Sequence, residues 1–323
     1  MEKLSPNIQF PAPFSWADFK QIDAKNTFDL DSAYKICQSI AKNHYENFPI
    51  ASFFIPKHLR KHIYSIYAFA RYADDIADEK SNSDQATRVA ILENLEYLII
   101  NSDDENTKHY PIILALNETI KQMNLPVDTI SRLLTAFKMD IYFSQPNTFD
   151  DLMNYCEYSA NPIGELILRL FNEYNEETAT LSNKITSALQ LINFWQDISI
   201  DLKNNRRYIP KSLMDQYLLQ NIPNFDNVHT NIENPAKIEE FGQFNALFEY
   251  LFSETENLLN DGSKLINKLN NKKLQFEIKL IVNSGRCILA KEKSRKYHLL
   301  FRRPKLNIID YIRILLKSIL WKY

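Results

Sequence analysis

Glycine is nearly missing from this chain: Gly164, Gly242, Gly262 and Gly285 are the only four in 323 positions. A Walker loop or a GxGxxG turn needs several glycines within a few residues to bring backbone N–H groups onto phosphate, so both devices are excluded. The many glycine-bearing turns of a sheet protein are missing too. Cysteine is equally sparse. Cys37, Cys156 and Cys287 are odd in number, far apart and without a CxxC pair, which argues against structural zinc and a thiol shuttle and points to a reducing cytoplasm. No run reaches the roughly 18 apolar residues of a spanning helix. Pro6, Pro11 and Pro13 occupy a stretch with no apolar secretory core, so a protein in solution or at the inner face of a membrane is expected. Charge of one sign is absent as well. Thirty-eight Lys+Arg against forty Asp+Glu leave −2, and without a global positive field nucleic acid is not expected as a partner.

What is present is apolar residues, 45% of the chain, recurring at i, i+3 and i+4 over long stretches with few breakers. The fold class this spacing predicts is all-α, a helical bundle. Helices are expected over about 30–45, 57–80, 84–101, 110–124, 126–143, 148–171, 175–203, 237–269, 272–300 and 306–322. No repeat or shift in composition marks a second domain, so an N-terminal extension (1–30) and one helical domain (31–323) are expected. The longest polar connection, Asn221 to Pro235, suits either a flap over a site or plain irregular chain.

Two segments carry chemistry. Ile66 to Glu79 reads IYAFARYADDIADE, and at ~100° per residue Asp74 and Asp78 fall on one helical face with Tyr67 and Arg71 behind them, while Asp75 lies off the line. Ala188 to Asp201 reads ALQLINFWQDISID and places Gln190, Asn193, Asp197 and Asp201 on one stripe of an otherwise apolar helix. Carboxylates at i, i+4 are ~5–6 Å apart and repel one another, and burying them unpaired costs more, so something positive should compensate. Mg²⁺ fits, because it takes oxygen ligands and commonly bridges one or two carboxylates to substrate phosphates. A single such match is usually an acidic turn facing water; two, each with Arg or Asn/Gln on its face, favour a diphosphate site with Asp74, Asp78, Asp197 and Asp201 as ligands. A di-iron bundle would use Glu with Glu-x-x-His, which neither segment contains.

These residues give the chain its resemblance to the squalene/phytoene synthases, over roughly Ala41 to Leu300. Arg71 stands three residues before Asp74, Asp75 and Asp78 in a DDxxD pattern; Gln190, Asn193, Asp197 and Asp201 follow QxxNxxxD with a further acid; Arg206 to Pro210 supplies the basic-Tyr-apolar-Pro element. Within the family the phrases ENFPIASFFIP (Glu46 to Pro56), YCEYSANPIGELIL (Tyr155 to Leu168) and NFWQDISIDLKNNRRYIP (Asn193 to Pro210) look most like the hydroxysqualene synthase branch of hopanoid biosynthesis. Other branches usually have serines near Asn47, Ala-Gly where Ala160 and Asn161 stand, and Arg where Gln196 stands.

The resemblance implies an isoprenoid synthase fold with a central cavity, and Mg²⁺ on both acidic helices. Presqualene diphosphate would lose diphosphate, and water would capture the rearranged cation. Arg71 and Arg206 would neutralise the leaving group, with Tyr67 and Tyr208 as donors and His44 near the diphosphate. Phe48, Tyr67, Phe69, Tyr155 and Phe194 are candidate aromatic walls for the cation, with core packing the alternative for each and the better fit for Phe48, Phe69 and Phe194. Asn161 is the first candidate for placing water and His44 the second, against the plainer role of a satisfied buried polar group for each. Pro162 and Gly164 suit a bend, whether for a tunnel or for packing. Head-to-head condensation of two farnesyl diphosphates, a transferase reaction, uses the same acids. A non-catalytic assembly protein on this fold would tend to have lost them. The C-terminal segment Ile308 to Tyr323 is amphipathic and basic, suited either to docking on the bundle or to peripheral membrane contact. Enzymes of neighbouring steps are the other implied partners.

Overall fold

Apolar spacing sets helix position along most of the chain. The computed structural model describes residues 27–43, 55–78, 84–219 and 235–321, and among them it contains α-helices, short 3-10 turns and no strand. The all-α class is therefore as expected. The described residues fall into two compact units that divide between Tyr142 and Phe143.

The first unit holds α1 (Leu30–Asn43), α2 (Lys57–Asp78), α3 (Gln85–Ile100), α4 (Pro111–Met123) and α5 (Val127–Ile141). Helix α2 packs against the other four, burying Ala68, Phe69, Ala73 and Ile76. A buried polar contact fixes its register: Thr119 Oγ1 of α4 lies 3.0 Å from His62 Nδ1, 2.8 Å from Ser65 Oγ and 3.2 Å from the Tyr34 hydroxyl of α1. Burial pushes the His62 imidazole down to about 4, so the ring is neutral at pH 7 and no charge is buried with it.

The second unit holds α6 (Phe149–Ser159), α7 (Asn161–Leu170), α8 (Glu176–Asp201), α9 (Lys211–Gln216), α10 (Pro235–Gly262), α11 (Lys272–Arg295) and α12 (Ile308–Ile319). Helix α8 starts at a reciprocal cap between Asn175 and Thr178 and packs against α6, α7, α10 and α11. Trp195 is fully buried there and donates Nε1–H to Thr255 Oγ1 of α10 at 3.1 Å. Three of the four glycines, Gly164, Gly262 and Gly285, let neighbours press onto α8. A Cβ at Gly164 would stand 2.4 Å from Ser182 Oγ, and one at Gly262 2.8 Å from the backbone nitrogen of Ile185.

The expected helix over 148–171 breaks at Ala160. Pro162 has no N–H to give to Tyr158, and its ring would crowd that carbonyl, so a new helix begins instead. The expected helices 237–269 and 272–300 end early and tighten into 3-10 turns at Ser263–Asn267 and Lys296–Leu300. Helix α9 was not expected, since six residues after Pro210 are too few to show a period. Residues 221–234 of the long connection lie outside the described residues.

Two buried glutamates contrast. Glu173 accepts from the backbone N–H of Asn270 and of Asn271, at 3.0 and 2.5 Å, which ties the start of α11 to the end of α7. Glu277 is 5% exposed, and neither of its oxygens has a hydrogen-bond partner among the described residues. Burial pushes its carboxyl up to about 8. Unfolded, it would release its proton near the ordinary value of 4.5. The folded state therefore binds more protons between those values, and stability should fall as pH rises through that interval and level off above it. Glu277→Gln should flatten this slope and gain roughly 3–5 kcal/mol over the native chain at pH 8.5. Urea unfolding of both chains between pH 5 and 8.5 measures it; parallel pH curves would refute it.

Candidate active site

The last three turns of α2 carry Tyr67, Arg71, Asp74, Asp75 and Asp78. Arg71 donates from Nη1 to Asp74 at 3.3 Å and from Nη2 to Asp75 at 2.5 Å. Asp75, off the stripe by rotation, thus takes the shorter contact. Burial opposes the Arg71 charge, yet Asp75 and Asp74 hold the guanidinium more firmly protonated than usual. Burial raises the Tyr67 phenol against the pull of Arg71, with Asp74 and Asp75 adding to the rise. Asp74 is 42% exposed and Asp78 is open to solvent at the final helical residue. The macrodipole puts partial negative charge at this end, where a carboxylate is disfavoured by ~0.3–1 kcal/mol. No lysine, arginine or histidine stands in the last turn to offset it.

In the second unit Gln190, Asn193, Asp197 and Asp201 run down α8 to its C-terminal residue, again with no cation in the last turn. Leu191, Ile192, Phe194, Trp195 and Ile198 are buried beside them, while Asn193 is exposed and the other three stripe residues are partly so. Asp197 is held by an ion pair with the Arg303 guanidinium, without hydrogen-bond alignment. Burial nonetheless raises the Asp197 carboxyl above the aspartate range, against the attraction of Arg303 and Lys305. Gln196 explains how Arg303 gets there: it donates from Nε2 to the Pro304 carbonyl at 2.7 Å. On α11, Glu292 is fully buried with neither oxygen hydrogen-bonded among the described residues, and burial, then the Asp197 charge, push its carboxyl well above the usual range.

Beyond α8 the chain turns through Asn205, at φ 56° in the left-handed region, and the Arg206 N–H donates to the Asp201 carbonyl at 2.8 Å. Gln145 Nε2 donates to the Ile209 carbonyl at 2.8 Å and pins this turn. Its product is an aromatic cluster. Tyr208 stacks on Phe194 with centroids 3.9 Å apart and planes 15° from parallel, Tyr155 lies 5.9 Å from Phe194, and Phe143 meets Tyr208 edge-on at 5.2 Å. Phe194 is one turn before Asp197 on the same helix.

Tyr155 and Tyr208, expected as separate contacts, thus meet on Phe194. Phe69, a candidate wall, is fully buried in the first unit's core. Asn161 is 6% exposed, and its side-chain oxygen accepts from Thr186 Oγ1 at 2.8 Å and Ser187 Oγ at 3.0 Å. His44 and Phe48 lie outside the described residues. Among the described residues no three Asp, Glu, His or Cys side chains gather as a ready metal cluster. Sequence reasoning missed Arg303, Lys305, Glu292 and Phe143. The basic run Arg302-Arg303-Pro304-Lys305 was the available signal for the first two; nothing in the periodicity of α11 distinguishes Glu292.

The family model for squalene/phytoene synthase matches residues 41–310. The hydroxysqualene synthase of Sinorhizobium fredii is 29% identical over 265 residues, 80% of this chain and 83% of that one. The phytoene synthase of Mycobacterium tuberculosis is 27% identical over 188 residues, 58% of this chain and 61% of that one. Among solved structures, squalene synthase HpnC from Alicyclobacillus acidocaldarius superposes with a TM-score of 0.71 at 29% identity, covering 83% of this chain and 95% of that one.

Because the Arg303–Asp197 pair is partly exposed, its loss should cost only about 1–2 kcal/mol. Arg303→Met should lower stability by that amount, and adding Asp197→Asn should restore most of it, since no charge is then left uncompensated. Urea unfolding of the wild type, both single variants and the double variant gives the coupling energy; additive effects would deny the pairing.

Proposed function

Because this chain belongs to the squalene/phytoene synthase family, whose members are isoprenoid synthases, we propose that it ionises presqualene diphosphate in a Mg²⁺-dependent reaction and delivers water to the rearranged cation. Presqualene diphosphate and water would give hydroxysqualene and diphosphate: the C–O bond breaks with its electron pair leaving on diphosphate, a water oxygen bonds to carbon, and that water loses a proton. The observation that carries this is the make-up of α8. One helix bears Asp197 and Asp201 at its end and, a turn earlier, Phe194 under the rings of Tyr155 and Tyr208.

The donor set fits a hard cation. Asp74, Asp78, Asp197 and Asp201 offer carboxylate oxygens at helix ends whose dipoles already favour positive charge, and Asp78 is open to solvent. Within each unit the pair, Asp74 with Asp78 or Asp197 with Asp201, would hold Mg²⁺, which when bound supplies charge to diphosphate oxygens. Arg71 and Arg206 would each bind diphosphate oxygens, and their charge favours the state in which the leaving group has gained an electron pair. The Tyr67 phenol, raised by burial, stays protonated at neutral pH and would donate to a diphosphate oxygen. Tyr155, Phe194 and Tyr208 would stabilise the cation through their ring faces without forming an adduct. Asn161, oriented by Thr186 and Ser187, would place the water.

The branch assignment is supported by the likeness to the Sinorhizobium fredii hydroxysqualene synthase over most of both chains. The likeness to squalene synthase HpnC of Alicyclobacillus acidocaldarius supports a second reaction, head-to-head condensation of two farnesyl diphosphates, which would use the same carboxylates. Feeding each substrate with Mg²⁺ and analysing the lipid by mass separates the two. Hydroxysqualene should form from presqualene diphosphate, chelation should stop it, and Asp74→Asn or Asp197→Asn should each slow it about 100-fold or more. Unchanged presqualene diphosphate with the wild-type protein would end the proposal. Asn161→Ala should divert product away from hydroxysqualene; an unaltered product ratio at reduced stability would leave Asn161 a packing residue alone.

A further inference from the structure

Helix α12 is mounted with its polar side inward. Asp310, Ile314 and Ser318 are the buried positions, and the two polar ones are tied to α11: Lys291 Nζ lies 2.8 Å from Asp310, and Asn283 Nδ2 donates to Ser318 Oγ at 2.8 Å. An Asn307–Asp310 capping box fixes the helix start as well. This register leaves no freedom to roll the apolar side under. Ile308, Ile309, Ile312, Leu316, Ile319 and Leu320 therefore face outward, between 52% and 73% exposed, over an arc of roughly 120° at 100° per residue. A contiguous outward patch of this kind on a water-facing protein marks an interaction surface.

The charge around the patch says which kind. Between Lys293 and Tyr323 there are nine lysines and arginines against one acid, Asp310, and that acid is buried and paired. Arg313 and Lys317 follow the apolar arc on one edge and make no ion pair with the described residues. With Arg286, Leu316 and Trp321 they line a groove of about 800 Å³ beside the helix, and the Arg286 guanidinium lies 5.0 Å over the Trp321 ring. A two-fold contact with a second copy would set this cationic edge against itself, which disfavours self-association. An anionic bilayer matches both features at once, taking the aliphatic side chains into its headgroup boundary and the cations onto phosphates.

We infer that the outward face of α12 docks the enzyme on an anionic phospholipid surface, with Ile312 and Leu316 inserted and Arg313 and Lys317 on the headgroups. Docking needs no spanning segment, consistent with no helix among the described residues being long and apolar enough to cross a membrane. Co-sedimentation of the full chain with phosphatidylglycerol/phosphatidylcholine vesicles, and with pure phosphatidylcholine vesicles, tests it at low and at high salt. Binding is expected to the anionic vesicles alone and to weaken with salt. Ile312→Asp with Leu316→Asp, and separately Arg313→Glu with Lys317→Glu, should each lower partitioning about tenfold or more. Circular dichroism and the melting temperature check that each variant folds, and the charge pair carries the test if the apolar pair does not. Absence of binding to anionic vesicles at low salt, or binding untouched in a folded variant, would overturn the proposal. So would sedimentation velocity showing a wild-type dimer that the same substitutions make monomeric, which would give the face to a second copy.

Discussion

Negative charge gathered at the C-terminal ends of α2 and α8 is the constraint around which each unit is arranged. The macrodipole disfavours carboxylates there, and neither last turn supplies a lysine, arginine or histidine. In the first unit Arg71 answers from one turn back, dividing its guanidinium between Asp74 and Asp75. In the second the answer comes from about a hundred residues away, through Arg303. Asp78, at the last residue of α2, faces solvent.

Holding acids at a helix end requires that the helix not shift. Each of these two helices packs against four others of its unit, and each is registered by a buried polar contact as well as by apolar packing: Thr119 with His62 and Ser65 on α2, Trp195 with Thr255 on α8. Apolar contacts alone tolerate small slides, whereas a buried hydrogen bond lost to a slide leaves unsatisfied groups. Gly164 and Gly262 act in the same direction, since the neighbours they admit would have to retreat from any added methyl. Glu277 and Glu292 run against this economy of buried charge. Both are sequestered without hydrogen bonds among the described residues, and burial raises both carboxyls, that of Glu277 to about 8.

The C-terminal helix shows the same device with the opposite result. Lys291 and Asn283 grip the polar residues of α12, and an amphipathic helix that would ordinarily bury its aliphatic stripe is held with that stripe in the open. Polar contacts thus fix the register of both α8 and α12 within the second unit.

Sequence alone determined the helical class, most helix positions and both acidic motifs, because these depend on spacing within one segment. Few glycines, a 3.6-residue period and paired aspartates are local facts, and the phrases around them carried the family. The partners of those motifs were decided only by tertiary structure. No periodicity relates Arg303 to Asp197, and Gln196, which secures the link, looked only like a departure from the pattern. Tyr155, Phe194 and Tyr208 were legible as candidates, yet their meeting on one face of α8 depends on the turn pinned by Gln145. The orientation of α12 was open for the same reason: a helix's own sequence shows that it has two faces, and the neighbour that binds one of them decides which is buried.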